Sequence, residues 1–202
     1  MKSAIIRVIA PALMLVGLPI SAAAQITVPP VPNNLTVPEG HTLFLATRAA
    51  GTQNYICLPT GGRKTWGWRF IGPQATLFVD AGGGVPQQVT THFLSMNPTE
   101  GIARPTWQHS TDTSRVWGQV VASSTDANYV APGAIPWLLL ARAGVAAGPT
   151  GGALMTQTTF IQRVNTSGGV APSTGCSNDD HIGTIVLVPY TTDYFFYRAN
   201  QD

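Results

Sequence analysis

The chain carries four histidines, His41, His92, His109 and His181, the side chains best suited to proton transfer or metal ligation near neutral pH. His109 and Asp112 stand three residues apart, and His92 precedes His109 by 17. If Gln88–Leu94 and Thr106–His109 pair as neighbouring strands, His92, His109 and Asp112 converge. Two imidazoles and a carboxylate suit a borderline divalent ion such as zinc or copper. No motif fixes this spacing, and the competing role of each histidine is a hydrogen-bonded or surface one. The residues require no cofactor but admit a divalent metal.

Nucleophilic catalysis lacks a frame. There is no Gly-x-Ser-x-Gly elbow. Ser110 and Ser114 lie near His109, but neighbours along a strand point to opposite faces. The carboxylates Glu39, Asp80, Glu100, Asp112, Asp126 and Asp193 show no pairing of the kind glycoside cleavage needs. Arg163, beside Gln162 and Asn165, can bind a carboxylate or hydrogen-bond loop carbonyls. Aromatic residues offer a binding site instead. Trp66 and Trp68 share a strand face by their spacing of two, and Trp107 lies on a later strand. Tryptophans among polar neighbours can stack sugar rings or meet a protein partner; their competing role is core packing. Catalysis and binding both stay open at this point.

The elements that must position these residues are short and β-rich. Strands are expected over Thr42–Ala49, Gln53–Cys57, Thr65–Ile71, Ala75–Val79, Gln88–Leu94, Val116–Ser123, Ile135–Ala143, Leu154–Val164, Thr184–Tyr190 and Tyr194–Arg198, with Ser95–Pro105 as a loop. Glycine and proline punctuate them, and no long apolar stripe of helical period occurs after the N-terminal segment. About ten short strands predict an all-β, single-domain sandwich or barrel-like fold. Residues 25–40, with four prolines, read as an extended arm, and residues 41–202 as the β domain. No Gly-x-Gly-x-x-Gly joins a strand to a helix, which excludes a dinucleotide-binding unit.

Residues 1–24 have the pattern of a secretory signal peptide: Lys2 and Arg7, an apolar run over Ala10–Ile20, then Ser21-Ala22-Ala23-Ala24. The run is short and broken by Pro11, Gly17 and Pro19, so no span persists after cleavage. The expected location is secreted or periplasmic. Loss of the leader removes two basic residues and leaves nine basic against nine acidic ones. A formally neutral chain has no electrostatic case for nucleic acid or an anionic membrane. In an oxidising compartment Cys57 and Cys176, the two cysteines of the chain, most simply form a disulfide. The rival role is a shared metal or redox site. A bridge across so long a loop stabilises by about 4–5 kcal/mol in chain-entropy terms.

Several phrases recur together as one family. They are Gly51-Thr52-Gln53-Asn54-Tyr55-Ile56-Cys57, Trp68-Arg69-Phe70 with Pro73-Gln74-Ala75-Thr76-Leu77, His92-Phe93, Pro105-Thr106-Trp107 and Ile135-Pro136-Trp137-Leu138-Leu139-Leu140. The block Ile161–Pro172, Cys176, Val188-Pro189-Tyr190 and Asp193-Tyr194-Phe195-Phe196-Tyr197 complete the set. On these residues the chain resembles the secreted DUF3455 family of bacteria and fungi, over nearly the whole segment after the leader. It departs from the family between His92 and Pro105, and at Thr111-Asp112-Thr113-Ser114. The family has no assigned reaction, so the resemblance implies a secreted protein without supplying a mechanism.

The sequence thus points to a disulfide-linked extracytoplasmic β domain that binds a glycan, an envelope component or a protein partner. The expected face lies near Trp66, Trp68, His92, Trp107 and His109. The alternatives are a metal-dependent enzyme built on His92, His109 and Asp112, and a structural envelope protein whose exposed edges assemble.

Overall fold

The computed structural model describes residues 26–62 and 64–201; the expected leader lies outside the described residues. Eight antiparallel strands form one closed barrel. They are β1 (His41–Pro59), β2 (Trp66–Asp80), β3 (Pro86–Asn97), β4 (Ile102–His109), β5 (Arg115–Ser124), β6 (Trp137–Ala146), β7 (Thr158–Gly168) and β8 (Ile185–Ala199). Each strand pairs with its chain neighbours, and β8 pairs with β1 from His41↔Ala199 to Ile56↔Ile185. Closure removes free sheet edges.

Eight long strands replace ten short ones because glycines and prolines that look like breakers lie inside strands. β1 passes straight through Gly51, and β2 passes through Gly72-Pro73. A Cβ at Gly51 would run into the Gln74 carbonyl and Ala75 on β2, so glycine is what lets the two strands approach there. Pro73 faces Gln53 just beside the register shift at Asn54/Tyr55, where ladder pairing is interrupted. β8 likewise runs through Pro189. Conversely, Ser95–Pro105 is mostly strand: only residues 98–101 turn the chain between β3 and β4.

Both faces of the later strands are buried, which explains their unbroken apolar runs. Along β8, Tyr194 and Phe196 point into the barrel, packed with Trp107, Leu140 and Ile161. Phe195 and Tyr197 point outward and pack with Leu35 and Trp137. β6 does the same, with Leu140 inside and Leu139 outside. The outer layer is covered by residues 26–37, where Ile26, Val31, Leu35 and Val37 lie against it. A 3-10 turn at Asn33–Leu35 drives the fully buried Leu35 into this layer. Burying such a leucine stabilises by about 2 kcal/mol. Gln162 fixes the segment: Nε2 donates to the Leu35 carbonyl at 2.7 Å, and Oε1 accepts from Tyr197 Oη at 2.7 Å.

The two ends of the barrel differ. At one end the 3-10 turn Leu154–Gln157 inserts the fully buried Met155 into the interior cluster. Asp112 holds this plug in place. Its Oδ2 accepts from Leu154 N at 2.8 Å and its Oδ1 from Ser114 Oγ at 2.6 Å, while Ser114 Oγ accepts from Met155 N at 2.9 Å. At the other end, residues 169–184 are tied to β1 by the Cys57–Cys176 disulfide. Main-chain bonds reinforce the tie, Cys57 N to Thr184 O at 2.9 Å and Gly183 N to Cys57 O at 3.0 Å.

Candidate functional site

The plugged end leaves the opposite half of the interior hollow. A cavity of about 280 Å³ lies there, and its lining includes Gln53, His92, Trp107, Leu138, Leu140, Arg163 and Tyr194. Phe70, Pro105 and Val120 also line it, and Phe70 and Val120 are exposed at its rim. The cavity exists because of small residues in the wall as much as large ones. A Cβ at Gly118 on β5 would sit 3.0 Å from Trp107 Cζ3, so the bare backbone gives the indole its room. An eight-stranded barrel is wide enough to be filled by side chains or to hold one small ligand.

His92 and Trp107 stand opposite each other across the β3–β4 ladder. Their rings stack with centroids 4.2 Å apart, and Tyr194 meets the histidine edge-on at 5.4 Å. His92 Nδ1 lies 2.9 Å from the Thr106 carbonyl, which fixes Nδ1 as the protonated nitrogen of a neutral ring. Burial, opposed by the bond to Thr106 and aided by the Arg163 charge, brings its pKa down to about 3. The imidazole is therefore uncharged at neutral pH, and its Nε2 is an acceptor.

Among the described residues Arg163 is the one cation in the lining. On β7 it follows Ile161 by two residues, so it shares the inward face with that fully buried side chain. Its Nε and Nη2 donate to the Pro136 carbonyl at 3.2 and 2.8 Å, which orients the guanidinium. Its charge is felt by Tyr55, His92, Tyr190 and Tyr194. Among the described residues no carboxylate lines the cavity. Burial pushes the Tyr190 and Tyr194 hydroxyls well up, so both remain protonated. Tyr190 and Tyr194 lie close to each other, with Gln53 beside Tyr190 and Arg163 beside Tyr194, yet among the described residues neither hydroxyl forms a well-shaped hydrogen bond. Gln53 Nε2 and Trp107 Nε1 are likewise buried without one. Native interiors rarely leave such groups unpaired, because each costs about 1–3 kcal/mol.

Residues 38–198 match the family described as "Protein of unknown function (DUF3455)". The chain belongs to the DUF3455 family. No curated protein and no solved structure matches it. The matched segment spans the disulfide, the plug and every residue of the cavity named above.

In this DUF3455 protein the residues singled out from sequence fall in three places. Trp107 and His92 share the cavity wall. Trp66 and Trp68 share a face of β2, but they serve the disulfide-tied loop: Trp66 Nε1 donates to Asp179 Oδ1 at 3.0 Å and Trp68 Nε1 to the Thr174 carbonyl at 3.0 Å. His109 and Asp112 meet at the plugged end, with Nδ1 and Oδ1 3.1 Å apart. Burial opposes ionisation of Asp112, but bonds from Ser114 and Leu154, with His109 nearby, hold its pKa down at about 2. Thr90, not His92, pairs with His109 in the ladder. Among the described residues no three His, Cys, Asp or Glu side chains converge as a metal site requires. Both cysteines of the DUF3455 protein are in the disulfide, with none free. Tyr194 and Gln53 carry no local signal in the sequence; they join the site only through the β1–β8 register that brings both strands to its wall.

Proposed function

We propose that this DUF3455 protein is an extracytoplasmic binding protein that takes one small ring-bearing organic molecule into the open half of its barrel. The observation that carries this reading is the set of buried polar atoms around a hollow interior that make no well-shaped hydrogen bond among the described residues: Gln53 Nε2, Trp107 Nε1 and Tyr194 Oη. A folded protein tolerates several such groups together where a ligand or ordered water completes them. The walls of Trp107, Tyr194, Phe70 and Leu140 favour a flat apolar body. A volume of about 280 Å³ exceeds the roughly 150 Å³ of a cavity that holds benzene. That capacity favours a single compact molecule over an oligosaccharide or a protein segment as the occupant. The N-terminal signal-peptide pattern, together with the disulfide, supports a secreted or periplasmic location.

The neutral fluorophore N-phenyl-1-naphthylamine tests this reading. Saturable, stoichiometric fluorescence enhancement by the folded protein is expected. Val120→Trp, placed at the exposed rim, should abolish it while leaving the melting temperature near wild type. Failure of the probe and of a panel of one- and two-ring compounds to bind, or binding indifferent to Val120→Trp, overturns the reading.

A further inference from the structure

We infer that the molecule taken into the barrel carries a carboxylate, and that Arg163 receives it; this rests on the interior-binding reading above. The lining is rich in donors and poor in strong acceptors. Arg163 contributes a guanidinium whose Nε and Nη2 are both turned to the Pro136 carbonyl and which otherwise stands beside the Tyr194 hydroxyl. Gln53 Nε2, Trp107 Nε1 and Tyr194 Oη can each donate, and none makes a well-shaped hydrogen bond among the described residues. Each of these three residues is at least 97 % buried. The acceptors facing them are neutral: Nε2 of His92, the Gln53 carbonyl and the tyrosine hydroxyl oxygens.

Charge bookkeeping gives the same answer. Arg163 forms no ion pair among the described residues; Arg69, Arg115, Arg142 and Arg198 form none either, but they are exposed, whereas Arg163 is half-buried in the cavity wall. A cation set in an apolar wall beside a hollow space is costly unless an anion comes to meet it. A guanidinium with its edge fixed by a backbone carbonyl offers the rest of its fork to a planar oxyanion, the geometry carboxylates use best. A sugar is a poor match, because its hydroxyls need strong acceptors as well as donors and no Asp or Glu among the described residues lines the space. A compact aromatic or alicyclic carboxylic acid matches both halves of the site: a ring between Trp107, Tyr194 and Leu140, and an anionic head at Arg163.

The test is a matched pair, 1-naphthoate and 1-naphthalenemethanol, measured by calorimetry on the full disulfide-linked protein at pH 7. Naphthoate should bind at least tenfold more tightly, and the advantage should shrink as ionic strength rises. In Arg163→Gln the ratio of the two affinities should fall towards one, while Arg163→Lys should retain part of it. Equal affinities in the wild type overturn the assignment of an anion yet leave interior binding standing. Binding of neither compound, together with failure of the neutral fluorophore, overturns both. The wild-type ratio decides the matter even if Arg163→Gln does not fold.

Discussion

The imidazole of His92 lies flat on the indole of Trp107, with planes 9° from parallel, and this stacked pair forms one wall of the hollow interior. The ring in this stack is uncharged, because the histidine is buried and donates its single N–H to Thr106.

A pH dependence follows from that. A histidine in the unfolded chain titrates near about 6.5, whereas burial takes folded His92 down to about 3. Between these values the unfolded chain holds a proton that the folded chain lacks. The stability due to the neutral ring is complete above the unfolded pKa and is lost as pH falls towards the folded one. The slope reaches about 1.4 kcal/mol per pH unit. Urea titrations from pH 7 to 4 should show the decline, and His92→Gln should flatten it. An unchanged slope in that variant refutes the neutral buried ring.

The plugged end responds to acid in a lower window. Asp112 titrates at about 2 in the fold against an ordinary 3.8. Its contribution is present above pH 3.8 and disappears as pH drops through 2. Asp112→Ala deprives Leu154 N and Ser114 of their acceptor, at a cost of about 2–3 kcal/mol. For a domain of this size that lowers the melting temperature by roughly 5–10 °C. Interior ligand binding should survive, because the cavity lies in the other half of the barrel. A melting temperature within a degree of wild type would show that Asp112 does not hold the plug.

Trp68→Phe keeps a ring on β2 but removes the N–H that reaches Thr174. A cost of about 1 kcal/mol is expected. Amide exchange should accelerate in residues 169–184 while the β6–β7 ladder stays protected, as mass spectrometry can read. If ligand affinity falls instead and exchange does not change, Trp68 belongs to a binding face and not to the loop anchor.

Reduction of the disulfide releases two residues 119 apart in the chain. The expected loss is about 4–5 kcal/mol as an upper figure, and calorimetry with and without reductant measures it. The same loop should then exchange first. Identical melting with and without reductant would show that the bond does not constrain the unfolded chain.

The all-β character and the disulfide are legible in the sequence because short apolar alternations, turn residues and an isolated cysteine pair each leave a local mark. Strand number is less legible. Gly51, Gly72-Pro73 and Pro189 carry the signature of breaks, and only the barrel's curvature and its register shifts make them tolerable inside strands. Trp137–Leu140 and Tyr194–Tyr197 give no period because both faces are dry, one against the interior and one beneath residues 26–37. For the site, His92, Trp107 and Arg163 stand out by residue type. Their common room does not, since it depends on the ladders that align β3 with β4 and on Arg163 sharing the inward face of Ile161. Trp66 and Trp68 show the converse: period two correctly puts them on one face, but what that face touches lies more than a hundred residues downstream.

The position of the two cysteines has a consequence for durability. The first six strand connections all fall between Cys57 and Cys176. A protease that cuts any one of them leaves two fragments still joined by sulfur and laced together on both sides of the cut by intact ladders. Such a nicked molecule would run as a single band until reduced, and it would keep the walls of its cavity. This arrangement lets the barrel outlast the continuity of its own chain.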